Sequence, residues 1–247
     1  FMSINTTIEQ LKKIKLNGMV MALEELIKQP ESYNLSFEER LGILIDREIV
    51  CRENARKKRL LGYAKLRTAH ACVEDINYQP VRNLDRQKII SFSSCDWIRR
   101  QQNLILTGST GSGKTFLACA LGQQACRQGI SVRYFRVPRL LEDLSIAQAN
   151  GEYNKFLNIV SKTELLILDD WGINKLKPTE RTDILEILEE RHVSKSTIIA
   201  AQLPVQSWHE YIGDATIADA VLDRILSNAH RLEIKGPSMR EKTVLLD

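Results

Sequence analysis

A glycine-rich turn between an apolar run and a helix-forming segment limits most strongly what this chain can become. Leu104-Ile105-Leu106-Thr107 leads into Gly108-Ser109-Thr110-Gly111-Ser112-Gly113-Lys114-Thr115, and Phe116-Leu117-Ala118-Cys119-Ala120-Leu121 follows. The spacing fits G-x-x-x-x-G-K-[ST], a phosphate-cradling loop. Glycines let backbone N–H groups turn inward as an anion-binding nest, and the following helix aims its positive end at the same point. Lys114 can reach β- and γ-phosphate oxygens, and the Thr115 hydroxyl can ligate Mg²⁺. Residues Gly108 to Thr115, with Phe116 beside them, therefore read as a nucleoside-triphosphate site.

With 247 residues the chain is long enough for one large domain, or for one domain with an appendage. The net charge of +4 hides a local excess. Arg52, Arg56, Lys57, Lys58, Arg59, Lys65 and Arg67 face a single acid, Glu53. Such a block fits an acidic partner such as nucleic acid, or simply a solvated helix face. The five cysteines are scattered without C-x-x-C spacing, so neither a disulfide framework nor a zinc site is indicated. No apolar run approaches membrane-spanning length and no signal-type apolar segment opens the chain, so a cytoplasmic location is expected.

Read in order, Thr6-Thr7-Ile8-Glu9 has capping-box spacing, and Ile8, Leu11, Ile14, Leu23, Leu26 and Ile27 predict one helix closed by Pro30. A second box, Ser36-Phe37-Glu38-Glu39, opens a helix with Leu41, Leu44, Ile45 and Ile49 on one face. Residues 2–69 thus form a small helical domain for self-association, partner or DNA contact, 70–83 a linker, and 84–247 an α/β domain. Strands are expected at Asn103–Thr107, Val132–Arg136, Leu165–Asp169, Thr197–Ala201 and Arg231–Ile234. The helical stretches between them predict a parallel sheet covered on both faces.

Leu165-Leu166-Ile167-Leu168-Asp169-Asp170 is the second strong signal. A buried strand ending in two carboxylates supplies what a phosphate loop needs. Asp169 would hold Mg²⁺ opposite Thr115, and Asp170 would polarise the attacking water. Alternatively, the acids cap the following turn. Gln202, just past the fourth strand, can sense the γ-phosphate or bond to a loop. Arg224, near the middle of an amphipathic helix, can act in trans on a transferring phosphoryl group or pair with Asp219 or Asp223. Arg240 is a further candidate cation near the nucleotide.

Several motifs together resemble one family. They are the phosphate loop, Asp169-Asp170-Trp171-Gly172, Gln202-Leu203-Pro204-Val205 with Trp208-His209, and Ile212-Gly213-Asp214. Leu222-Asp223-Arg224, Asn228-Ala229-His230-Arg231 and Lys235-Gly236-Pro237-Ser238-Met239-Arg240 complete the set. The chain resembles, over almost its whole length, the IstB-type transposition helper ATPases, AAA+ proteins close to the DnaC-type helicase loaders. The resemblance implies an AAA+ core with a five-stranded parallel sheet, no helical lid, and a helical N-terminal domain. It also implies ATP and Mg²⁺ between subunits of a homo-oligomer, with Arg224 as arginine finger and Gln202 as sensor. The ATP-bound oligomer of such helpers assembles on duplex DNA, recruits a transposase and is reset by hydrolysis. The helices from about Pro138 to Ser161 resemble an insertion lining the DNA path. Asp170 stands where glutamate is commoner, so slow hydrolysis is expected. A helicase loader, a small-molecule kinase and a pure binding module are the alternative readings.

Overall fold

The computed structural model describes residues 3–239, and they form two compact units that meet in sequence at Arg59 and Leu60. In the first unit, α1 (Ile4–Lys13) and α2 (Asn17–Lys28) stand where one helix was expected. The helix begins upstream of Thr6, so the expected capping box does not form, and Ser3 is its N-cap. Lys15 in the left-handed region, φ 61°, separates the two helices. The second box does form: Ser36 N donates to Glu39 Oε2 at 2.7 Å, and Glu39 N donates to Ser36 Oγ at 3.2 Å. It opens α3 (Phe37–Ala64). Glu48, buried on α3, accepts from Gly18 N at 2.7 Å and Met19 N at 3.2 Å, so it caps the start of α2. A Cβ on Gly18 would run into the backbone at Arg47 and Glu48, so only glycine allows the two helices this approach. Leu41, Ile45 and Ile49 leave α3 with an exposed apolar face within this unit.

In the second unit, α4 (Arg86–Ser93) and α5 (Asp96–Arg99) precede β1 (Asn103–Gly108) and α6 (Lys114–Arg127). Then come β2 (Val132–Arg136), α7 (Val137–Ala149), α8 (Tyr153–Lys162), β3 (Leu165–Trp171) and α9 (Pro178–Arg191). Finally β4 (Ser196–Ala201), α10 (Trp208–Ile212), α11 (Ala215–Leu226) and β5 (Ala229–Ile234) complete it. The strands form one parallel five-stranded sheet in the order β2-β3-β4-β1-β5. Alternate side chains serve opposite faces. Leu104, Leu106, Ile167 and Ile198 pack with α4, α5 and α6, whereas Ile105, Leu166, Leu168 and Ile199 pack with α7 to α11. Burial on both faces is why these strands read as continuous apolar runs.

The segment expected as a linker belongs to this core. Ala71 and Ile76 are buried in the cluster around α6, Arg82 is 6% exposed, and Ala64 and Leu66, expected in the helical domain, are buried in the same cluster. Among the described residues, no helix follows β5; the chain continues irregularly to Met239, and Arg240 lies outside the described residues. No described helix is long and apolar enough to cross a membrane.

Candidate nucleotide site

The loop between β1 and α6 wraps the start of α6, as strand, glycine turn and helix require. Lys114, 8% exposed, donates from Nζ to Gly108 O and Ser109 O, both at 2.8 Å. Gly113 has φ 95°, and a Cβ there would meet the Arg82 guanidinium. Arg82 in turn donates from Nη2 to Ser112 O. Its burial pushes the guanidinium below its ordinary pKa. The backbone beside Arg82 is tied to the sheet edge: Lys235 N donates to Arg82 O at 3.1 Å, and Asn83 Nδ2 to Glu233 O at 3.2 Å. Met239 N closes over the loop by donating to Gly111 O at 3.0 Å.

Across from the loop, the two expected acids lie at an irregularity in the β3–β4 register between Leu168 and Trp171. Bulges re-aim side chains, and here the strand continues to Trp171 instead of ending at Asp169. Thr115 Oγ1 donates to Asp169 Oδ2 at 2.7 Å, and Tyr134 OH donates to the same oxygen at 2.7 Å. Asp169 is 2% exposed. Burial, then the Asp169 charge, pushes the Tyr134 phenol well above its ordinary value, so it stays a hydrogen donor. Asp170 has φ 60° and turns its Oδ2 to Arg136 Nε at 2.5 Å and Arg67 Nη1 at 3.8 Å.

Thr115, Asp169, Asp170, Lys114, Gly111, Gly113, Thr110, Phe116 and Gln202 line one cavity of about 230 Å³, with Arg67 and Thr68 at its side. Gln202 Oε1 accepts from Thr110 Oγ1 at 2.9 Å, so this strand-end glutamine bonds to the phosphate loop itself. Ser109 and Ser112 reach the site through backbone atoms, by the Lys114 and Arg82 hydrogen bonds. A second cavity of about 190 Å³ opens beside Gly113, with Ile76, Leu84, Phe116, Leu117 and Met239 among its walls. Thr115 and Asp169 offer a hydroxyl and a carboxylate side by side. That donor set fits Mg²⁺, which takes few protein ligands and fills its shell with water and phosphate oxygens.

Arg224 is not in this cavity. It lies on α11 against Glu189 of α9, rather than pairing with Asp219 or Asp223. It lines a separate cavity of about 200 Å³ that includes Asn103. Asn103 begins β1 and Gly108 ends it, so the two sites sit at opposite ends of a strand about 17 Å long. Tyr134, Arg136, Arg67 and Arg82 were not singled out as site residues. Each reaches the site only through long-range packing, although the alternation along β2 puts Tyr134 and Arg136 on one face.

The motifs outside the loop also converge. Trp171 is fully buried with Trp208 and Tyr211 at ring distances of 5.5 and 5.6 Å, and Trp208 Nε1 donates to Leu203 O at 3.1 Å. A family model described as IstB-like ATP binding protein matches residues 9–246. The chain belongs to that family. This IstB-like chain is 45% identical over 239 residues to an insertion-sequence ATP-binding protein of Sinorhizobium fredii, covering 97% of each. It is 50% identical over 198 residues to the IS1162 ATP-binding protein of Pseudomonas fluorescens, covering 80% of this chain and 86% of that one. Among solved structures it is similar to the DnaC helicase loader, with TM-score 0.57 and 25% identity over 67% of this chain and 97% of that chain. A DnaA bound to AMPPCP shares the fold at TM-score 0.57 and 20% identity, over 70% of this chain and 53% of that chain. The IstB-like chain is thus an ATP-binding protein with an AAA+ core and a helical N-terminal region.

Proposed function

We propose that this protein is an ATPase helper of a transposase, whose ATP-bound oligomer assembles on target duplex DNA, recruits the transposase and is reset by hydrolysis. The observation that carries the ATPase reading is the pairing of Thr115 with Asp169 at 2.7 Å beside Lys114, with Asp170 next in the chain. In this reading the inward N–H groups of residues 108–115 and Lys114 hold the β- and γ-phosphates, and the apolar cavity at Phe116 takes the base. Thr115 and Asp169 would hold Mg²⁺, which neutralises charge on the phosphate oxygens. Asp170 orients the water once its carboxylate turns from Arg136. Gln202 reports the phosphate loop through Thr110. Arg240 is a further proposed phosphate contact.

Arg224, at the far end of the strands from its own chain's nucleotide site, serves the site of a neighbouring copy. Charge on the γ-phosphate then favours assembly, and its loss favours release. The helical N-terminal region and the part of the basic run that lies in it, Arg52 to Arg59, supply partner and DNA contacts, whereas Arg67 belongs to the nucleotide cavity. Contacts to the phosphate backbone carry little sequence information, which suits insertion at many sites. The experiment is a duplex-DNA titration with ATP, with ADP and without nucleotide, across added salt. Tight binding only with ATP, weakening steeply with salt, is expected. Salt-insensitive binding without nucleotide would sink the proposal.

The likeness to the DnaC helicase loader favours a second reading, in which the partner is a replicative helicase. Pull-down by the full chain with ATP, offered transposase and helicase separately, decides between them.

A further inference from the structure

Arg224 is held in a way that its own helix does not explain. Its Nε donates to Glu189 Oε2 at 2.5 Å and its Nη2 to Glu189 Oε1 at 2.9 Å, a two-point fork across α11 and α9. Its Nη1 donates to Ala220 O at 3.0 Å, one turn back along α11. A guanidinium carries five N–H groups in a rigid plane. With one edge clamped by the carboxylate and a third nitrogen tied to the helix, the plane is fixed. The remaining terminal N–H groups on Nη1 and Nη2 are left to meet an anion.

The mounts of both residues are pinned to the same end of the sheet. Arg191, two residues after Glu189, is 2% exposed and donates to Val160 O and Thr163 O, each at 2.7 Å, and to Ser196 O. Arg191 Nε also donates to Thr197 Oγ1 at 3.2 Å. Thr197 N donates to Asn103 Oδ1 at 2.9 Å, and Asn103 Nδ2 donates to the backbone oxygens of Arg224 and Ile225 at 3.3 and 3.1 Å. A continuous hydrogen-bonded path therefore joins the end of α9 to the end of α11 through β4 and β1. An ion pair whose carboxylate side is 56% exposed adds little stability. Rigid orientation is what this arrangement supplies.

We propose that Glu189 is the positioning residue for Arg224, holding its guanidinium in the plane in which it meets the triphosphate bound by a neighbouring copy. The assignment rests on the reading of Arg224 as an arginine acting in trans. Glu189 touches no phosphate itself. Its contribution is geometric, and orienting groups of this kind govern turnover more than ground-state binding.

The test is steady-state ATP hydrolysis by the full chain assembled on duplex DNA, comparing Glu189→Gln, Glu189→Ala, Arg224→Ala and Glu189→Gln/Arg224→Ala. Each Glu189 variant should lower kcat by about tenfold to a hundredfold with KM changed by less than about twofold. Its melting temperature and assembled mass should match the parent. The double variant should be no slower than Arg224→Ala alone. If Arg224→Ala lowers kcat and the Glu189 variants do not, the positioning role is wrong while the trans reading stands. An equal fall on adding Glu189→Gln to Arg224→Ala overturns it as well. If Arg224→Ala leaves the assembled rate unchanged, the trans reading falls and the role of Glu189 with it.

Discussion

Asp170 Oδ2 lies 2.5 Å from Arg136 Nε, an ion pair between neighbouring strands β3 and β2. A carboxylate that accepts a proton from water cannot also be fully engaged by a guanidinium, so the pair restrains the proposed water-orienting group. Arg136 is 52% exposed, and a pair with an exposed partner holds about 0–1 kcal/mol. Arg136→Ala should therefore raise DNA-independent phosphate release by up to about fivefold. Asp170→Asn should abolish that gain. A rate unchanged or lowered by Arg136→Ala would show that the pair supports Asp170 instead of restraining it.

Tyr134 and Thr115 both donate to Asp169 Oδ2, so the phenol sets the direction in which this carboxylate presents its other lone pairs. Partners behind a metal-ligating group change metal affinity by about tenfold to a hundredfold. Tyr134→Phe keeps the buried ring and removes only the hydroxyl. It should raise the Mg²⁺ concentration that half-saturates hydrolysis by about tenfold or more. A Mg²⁺ titration of phosphate release checks this, and an unshifted midpoint would assign Tyr134 to packing alone.

The α/β core was legible because its signals are local. Leu104–Leu106, Leu165–Leu168 and Ile198–Ala201 are apolar runs buried on both faces, and the loop at Gly108–Thr115 bears its chemistry in consecutive residues. The partner of Asp170 was not legible, since Arg136 reaches it only through strand order and a register irregularity at Asp169–Asp170. Arg82 was hidden for a similar reason: it looked like linker, yet packing carries it onto Ser112. The N-terminal helix break falls at Lys15, and its sequence signal is the Asn17-Gly18 pair just beyond, which the apolar periodicity overrides, so the two helices read as one. Arg224 was recognised as a cation of interest, but its partner Glu189 lies on another helix and no spacing rule links them.

Gly113 serves two needs at once, a left-handed backbone and room for Arg82. A side chain in that conformation costs about 1–2 kcal/mol even with free space. Gly113→Ala should weaken binding of a fluorescent ATP analogue by at least about tenfold, while the circular dichroism of the fold is retained. In an Arg82→Ala background the collision disappears but the backbone strain remains, so affinity should recover only in part. Full recovery would mean that crowding, not conformation, requires the glycine.

Glu48 gives the N-terminal unit a pH-dependent tie. The bond from Arg52, together with those from Met19 N and Gly18 N, holds its carboxyl below the ordinary glutamate value of 4.5, against the opposing effect of burial. A carboxyl depressed in the folded state contributes stability that is fully present above its unfolded value and is lost as pH falls through its folded one. Glutamine keeps one acceptor oxygen for the Gly18 and Met19 amides but removes the charge that strengthens these bonds and the one from Arg52. Glu48→Gln should lower the stability of this unit at pH 7 and speed hydrogen exchange of the Gly18 and Met19 amides. The gap between variant and parent should stay constant down to about pH 4.5 and narrow below it, because the protonated carboxyl resembles the amide. A gap that persists unchanged at pH 3 would assign the tie to shape alone and not to the charge on Glu48.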